Sequence, residues 1–371
     1  MDLSLEGMAK RLYHRNREAM LAGLQSDGRV RSGSLLAVLA FLLALVPCCV
    51  SAALVAFSIH TLLHSESLLL TSILVLPLLL LGVLGLPRPV FVAKEHVVLK
   101  RGDHADLFRL LDDLSEKLGR ARIHQIVIDT RWNASFWLSG LSMRRTLSIG
   151  LPMLSVLDSR AVHAVICHEL AHANLSHPAL DAWIQASLRS MDHWKTMVYD
   201  AMQQIKQGPE VLLKPLGWAL IFLFQGYQYG ILCLDWLQSQ RAEFKADSHA
   251  LRATSQEDLM QALRRLPYEE VVEECLQESL LQRADFLVLL KDAAPRKLAS
   301  RLFANESRLD ADEAGAQRTH PSLRDRIRML AHQPTGVRAN TDFVEELRRR
   351  VEPHEETLAR KMVEAYGETC S

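Results

Sequence analysis

Two stretches near the start of the chain contain no charged side chain. Leu35 to Leu63 is apolar apart from His60 and a few small polar residues, and Ser67 to Leu86 follows after only His64, Ser65 and Glu66. Each meets or exceeds the roughly 20 residues needed to cross a bilayer, and Pro77 is tolerated there as a kink. The pair reads as a transmembrane helical hairpin over 34–87, preceded by a basic segment over 1–33. A cleaved signal peptide fits poorly, because the first apolar run is too long and a second one follows at once. The short linker lacks Lys and Arg, whereas Arg29 and Arg31 lie before the pair and Arg88, Lys94, Lys100 and Arg101 after it. The positive-inside rule therefore places both the N-terminus and everything beyond Leu86 on the cytoplasmic side.

Beyond the hairpin the hydrophobic period alternates between strand and helix. Val90–Leu99 reads as a strand. Asp103–Leu118 is an amphipathic helix with Leu107, Leu110, Leu111, Leu114 and Leu118 on one face and a stop at Gly119. Gln125–Ile128 and Arg145–Ile149 are short strands separated by the segment Trp132–Trp137, which ends at Gly140. Together these predict a small antiparallel sheet, one edge of which can pair with an extended peptide or simply close the sheet. From Ser159 the apolar positions Val162, Val165, Ile166 and Leu170 keep helical spacing behind an N-cap at Asp158 or Ser159. Residues 179–206 form a second amphipathic helix. Pro215–Leu234 is a third charge-free stretch, but Gln225, Tyr227, Gln228 and Tyr229 make it less lipid-like than the first two. Helices continue to residue 303, a polar loop spans 305–318, and a charged helical tail occupies 336–371.

The helix that begins near Ser159 carries His168-Glu169-Leu170-Ala171-His172. Residues four apart lie about 40° from each other round a helix, so the two imidazoles leave one face and can grip a zinc ion. Glu169 sits about 100° away, able to act as general base without being a ligand. His163 and His177 are out of register and read as non-ligands, and Cys167 reads as packing. Further on, Glu243 and Asp247 share a helix face in Arg241-Ala242-Glu243-Phe244-Lys245-Ala246-Asp247, as a third ligand and a supporting carboxylate would. A solvated charged face explains that run equally well.

Composition adds few constraints. Lys plus Arg and Asp plus Glu each number 43, so there is no global electrostatic case for a nucleic-acid partner. The six cysteines are scattered with no C-x-x-C spacing, which fits a reducing compartment for the soluble part.

Four features in this order resemble one family, the membrane zinc metallopeptidases of the HtpX type, which include the prenyl-protein endopeptidases and belong to the gluzincins. They are Asn133-Ala134, the His168–His172 motif, Glu243 to Asp247, and His320-Pro321 followed by Arg326, and the resemblance covers roughly 90–335. It implies that His168, His172 and Glu243 bind one Zn2+, that Glu169 is the base, and that Asp247 orients a histidine ligand. It also implies that His320 with Arg326 holds substrate or the developing oxyanion, and that the strand around Asn133 and Ala134 binds the peptide.

The expected protein is α+β and mostly α, with a gluzincin-like metallopeptidase domain over 88–335 behind a membrane hairpin. It would act as an endopeptidase on membrane or membrane-proximal polypeptides, with the bilayer as its second partner. The rival is a membrane scaffold that keeps zinc without turnover, and Glu169 argues against it, since a scaffold has no need of a non-ligand carboxylate there. Members of the family typically carry a second membrane pair, whereas only the first is legible here, so a prenylated substrate is not expected. Ligands sharing one zinc must lie on the same side of the bilayer, so the chain between His172 and Glu243 crosses an even number of times. Because 179–206 is charged, zero crossings are expected, with 211–236 packed as a helix against the catalytic domain or lying along the membrane surface beside the 179–206 helix.

Overall fold

The computed structural model describes residues 34–64, 68–86, 90–119, 121–175, 178–205, 208–304 and 321–370. In chain order the elements are α1 (Ser34–His64), α2 (Leu68–Gly85), β1 (Val97–Lys100), α3 (Ala105–Lys117), β2 (Gln125–Asp129), β3 (Ala134–Ser139) and β4 (Arg144–Gly150). They continue with α4 (Leu151–Val156), α5 (Ser159–Leu175), α6 (Pro178–Gln204), α7 (Lys214–Ala250), α8 (Gln256–Arg265) and α9 (Glu270–Gln282). A helical run over 286–304 ends in α10 (Ala294–Ala304), and α11 (Leu323–Ala331), α12 (Asp342–Val351) and α13 (Glu355–Cys370) complete the chain. The described residues fall into two compact units, one built from 90–175 with 239–370 and the other from 34–86 with 178–238.

In the first unit the sheet runs β1-β2-β4-β3 and is mixed, not antiparallel throughout as the strand spacing suggests. β1–β2 and β3–β4 are antiparallel, but β2 and β4 are parallel, with Gln125 opposite Thr146 and Ile128 opposite Ile149. The reason is local. After β2 the chain crosses the end of β4 and returns as the outer strand β3, so the hairpin β3–β4 tucks its second strand into the middle. Gly150 makes this crossing possible, because a Cβ there would lie 1.6 Å from the Arg131 carbonyl oxygen, and its amide donates to Asn133 O at 2.8 Å. Val90–Leu99 is a strand only from Val97, since Lys94–His96 turn and the His96 amide closes onto Ala93 O.

The core of this unit is continuous from the sheet to the C-terminus. Ile126, Leu147 and Ile149 from the sheet, Leu107 and Leu111 from α3, and Val162 and Ile166 from α5 are fully or almost fully buried. Phe343, Val344, Leu347 and Val351 from α12 and Leu358 from α13 belong to the same cluster. The described residues on either side of 335 thus share one core within this unit. Glu345, Arg349 and Arg350 face outward, Arg348 reaches the carbonyls of Leu154 and Leu157, and one apolar stripe seats the helix.

The second unit differs from expectation more sharply. α6 lays Ile184, Leu188 and Met191 against Ala40 and Ala44 of α1, and Ile231 of α7 joins the same cluster. Polar contacts pin the helices together. Tyr227 donates its hydroxyl to Leu43 O at 2.7 Å, Trp194 Nε1 donates to Leu81 O at 3.0 Å, and Gln228 Nε2 donates to Leu188 O at 3.0 Å. Met202 near Gly217, Asp192 near Gln228 and Leu188 near Gln228 set α6 and α7 antiparallel. Residues 211–236 thus lie antiparallel beside the 179–206 helix. The apolar face of α6 is what α1 and α7 cover, while Arg189 is exposed and Asp192 accepts from Gln228 of α7.

Because Leu347 is fully buried in the shared core, Leu347→Ala should lower stability by about 2–5 kcal/mol in thermal or denaturant unfolding in detergent. A loss below about 0.5 kcal/mol, the usual scale for surface positions, would return the tail to an independent appendage.

Candidate metal centre

α5 begins where Asp158 Oδ1 accepts the amide hydrogens of Arg160 and Ala161, at 3.1 and 3.0 Å. This N-cap satisfies donors that the first helical turn otherwise leaves open. Two and a half turns later His168 and His172 project from one face, with their Nε2 atoms 3.0 Å apart. Glu243, on the C-terminal part of α7, meets both. Its Oε2 lies 3.3 Å from His168 Nε2 and its Oε1 lies 3.2 Å from His172 Nε2. Ligand atoms about 2.0–2.1 Å from a tetrahedral zinc stand roughly 3.3 Å from each other, so the spacing of this trio fits one such ion. Among the described residues, these three form the group of His, Cys, Asp and Glu side chains whose donor atoms converge, all within 4.8 Å of one another.

One turn along α7 from Glu243, Asp247 is completely buried and its Oδ1 stands 2.9 Å from His168 Nδ1. An Nδ1–H donated there leaves the Nε2 lone pair free to face the metal position, which fixes the ligating tautomer. Burial alone lowers the His168 pKa, but the hydrogen bond and charge of Asp247, with Glu243, outweigh it and push it up to about 10. Burial also works to raise the Asp247 carboxyl, and Arg326 and His168 overcome that and hold it below the ordinary carboxylate range.

Arg326 comes from α11, whose start is capped by Ser322 Oγ accepting the Asp325 amide at 3.1 Å. Its guanidinium is buried and grips Asp247 with two donors, Nε to Oδ2 at 2.8 Å and Nη2 to Oδ1 at 2.7 Å. Nη1 stands 3.2 Å from Glu243 Oε2. All three guanidinium nitrogens are thus engaged behind the ligands. Arg326, expected to hold substrate or the developing oxyanion, has these nitrogens on Asp247 and Glu243, an arrangement that can brace the metal ligands. With both imidazoles neutral, as metal ligation requires, Glu243 and Asp247 against Arg326 leave one negative charge in a buried site, which a divalent cation offsets.

Glu169 points elsewhere, as its place on the helix dictates. Its Oε2 accepts the backbone amide of Phe136 on β3 at 3.1 Å. In the sheet order β3 is an end strand, and the Phe136 amide points away from β4, so Ala134, Phe136 and Leu138 turn their backbone groups to the open edge. Ala134 is buried, and Asn133 is exposed in the bend before β3 with its carbonyl committed to Gly150. His320 and the 305–318 loop lie outside the described residues. His163 is buried with Nε2 3.0 Å from Ala253 O, and Cys167 is buried in the core, its thiol pushed up by burial. The braces on Arg326 and the Glu169–Phe136 contact have no sequence signal, because both join residues far apart in the chain.

If Arg326 braces the ligands, Arg326→Lys loses the two-pronged grip on Asp247, and zinc affinity in a chelator competition falls about 10–100-fold. Unchanged zinc affinity with impaired turnover would restore the oxyanion role.

The sequence profile of peptidase family M48 matches residues 104–333, more than half of the chain, and takes in β3, α5, Glu243, Asp247 and Arg326. No curated protein and no solved structure matches the chain at the threshold of the comparison. The chain belongs to peptidase family M48, whose members are zinc metallopeptidases.

Proposed function

We propose that the protein is a membrane-anchored, zinc-dependent endopeptidase that cleaves membrane or membrane-proximal polypeptides with its catalytic unit on the cytoplasmic side. The observation that carries this reading is the convergence of His168, His172 and Glu243, with a carboxylate, Glu169, on the helix of the two histidines but outside the trio. Zinc held there supplies a Lewis acid that polarises a peptide carbonyl and acidifies water.

The chain's own groups provide the rest. The open edge of β3 pairs with an extended substrate, so that the scissile bond lies beside α5 and not in solution. Glu169 takes a proton from the attacking water and passes it to the leaving amine. Its contact with the Phe136 amide ties the base to the strand that binds the substrate. Asp247 and Arg326 keep His168 in its ligating tautomer and hold Glu243 in place.

Membrane attachment is supported by α1, which is long and apolar enough to cross a bilayer, and by a second such stretch over 211–250. α6 and α7 pack as an antiparallel pair on α1, so a pair of crossings serves the even-number requirement of a shared zinc site as well as none does. Outward apolar side chains such as Leu42 and Phe57 on α1 and Phe222 and Leu223 on α7 suit a lipid surround.

Glu169→Gln should retain bound zinc while kcat on a peptide or membrane-protein substrate falls by a factor of about 10²–10⁴, the usual scale for loss of a general base. In contrast, His168→Ala, His172→Ala and Glu243→Gln should each deplete zinc. Near wild-type turnover by Glu169→Gln would sink the mechanism, and normal zinc content in Glu243→Gln would demand another third ligand.

A further inference from the structure

One end of the sheet collects basic residues. The register places Lys100 opposite Gln125, Gln125 opposite Thr146 and Arg144 opposite Ser139, so the starts of β2 and β4 and the ends of β1 and β3 share a rim. Arg122 and Arg144 are exposed there. Partial burial lowers the pKa of exposed His124, and the surrounding charges of Arg101, Arg122, Arg145 and Arg144 lower it further. Asp112 neutralises Arg101, with Nη2 to Oδ1 at 2.8 Å. No ion pair involving Arg122, Arg144 or Arg145 is found among the described residues.

At the outer end of this basic rim the β3–β4 turn projects two apolar side chains into solvent. Leu141 is 84% exposed and Met143 is 47% exposed. Met143 also sits at φ 46°, a left-handed conformation that glycine or asparagine adopts far more cheaply. A strained methionine at the tip of a turn points to a use for its side chain. The turn is tied to the chain leaving the hairpin, since the Gly140 amide donates to Val90 O at 2.8 Å. Val90 comes only four residues after Leu86, where the apolar run of α2 ends, and Phe91 beside it is 66% exposed. Four residues reach at most about 14 Å.

We propose that the β3–β4 turn is a membrane-dipping tip, with Leu141 and Met143 entering the headgroup and acyl boundary while Arg122, Arg144 and Arg145 meet anionic headgroups. This combination of apolar tip and basic flank suits the interface of an anionic bilayer. Its consequence is positional, because the tip continues the open edge strand β3 and thereby holds the substrate-binding edge at the membrane surface. The proposal rests on the membrane association read above.

The test uses full-length protein in nanodiscs containing phosphatidylglycerol, with Cys49, Cys233 and Cys370 replaced by serine. A nitroxide is attached in turn to Leu141→Cys, Val46→Cys in α1 and Glu356→Cys on an exposed part of α13. Collision with oxygen and with a water-soluble nickel reagent should place the label at 141 roughly 5–10 Å into the boundary, the label at 46 in lipid and the label at 356 in water. Replacing phosphatidylglycerol by phosphatidylcholine should make the label at 141 shallower. A label at 141 as aqueous as that at 356, with 46 in lipid, overturns the tip and leaves the anchor standing. A label at 46 in water overturns both. Shielding of 141 that appears only when a polypeptide substrate is added assigns the tip to substrate and also refutes the proposal.

Discussion

The two-pronged ion pair between Arg326 and Asp247 is the constraint on which the centre depends. Both groups are buried, and removing either would strand the other's charge at a cost of about 3–5 kcal/mol. The pair joins α11 to α7, and through the Asp247–His168 contact it joins both to α5. Three helices from distant parts of the sequence are thereby held in one register, and the same contacts choose the His168 tautomer whose Nε2 faces Glu243.

Around that cluster the fold separates its tasks by direction. One face of α5 offers the two imidazoles, and a residue 100° away offers Glu169 to the edge of β3. The edge exists because β4 is inserted between β2 and β3, which in turn requires the close backbone crossing at Gly150. A mixed sheet is therefore not an incidental difference from an antiparallel one. It puts the strand nearest α5 at the end of the sheet, where the Phe136 amide meets Glu169 and no further strand pairs among the described residues.

What could be read from the sequence follows the range of each interaction. The pairs His168–His172 and Glu243–Asp247 are legible because four-residue spacing is a property of one helix, and the N-cap at Asp158 is equally local. The sheet order was not legible, because parallel pairing of β2 with β4 depends on where the chain turns back and not on the alternation within either strand. Arg326 is legible as a site residue, but its contacts are not, since only the fold brings Asp247 and Glu243 to its donors. The covering of α6 by α1, and the seating of α12 in the catalytic core, were missed for a related reason. Charged residues spaced along an amphipathic helix obscure how completely its apolar stripe is buried, as Ile184, Leu188 and Met191 and again Phe343, Val344 and Leu347 demonstrate.

The claim that two imidazoles and one carboxylate share a single zinc is tested most directly by X-ray absorption at the zinc edge on the full-length protein purified with its metal. The account predicts one zinc per chain, with a first shell of nitrogen and oxygen at about 2.0–2.2 Å and multiple scattering from two imidazoles. A sulfur scatterer near 2.3 Å, or a shell with no imidazole contribution, would contradict it.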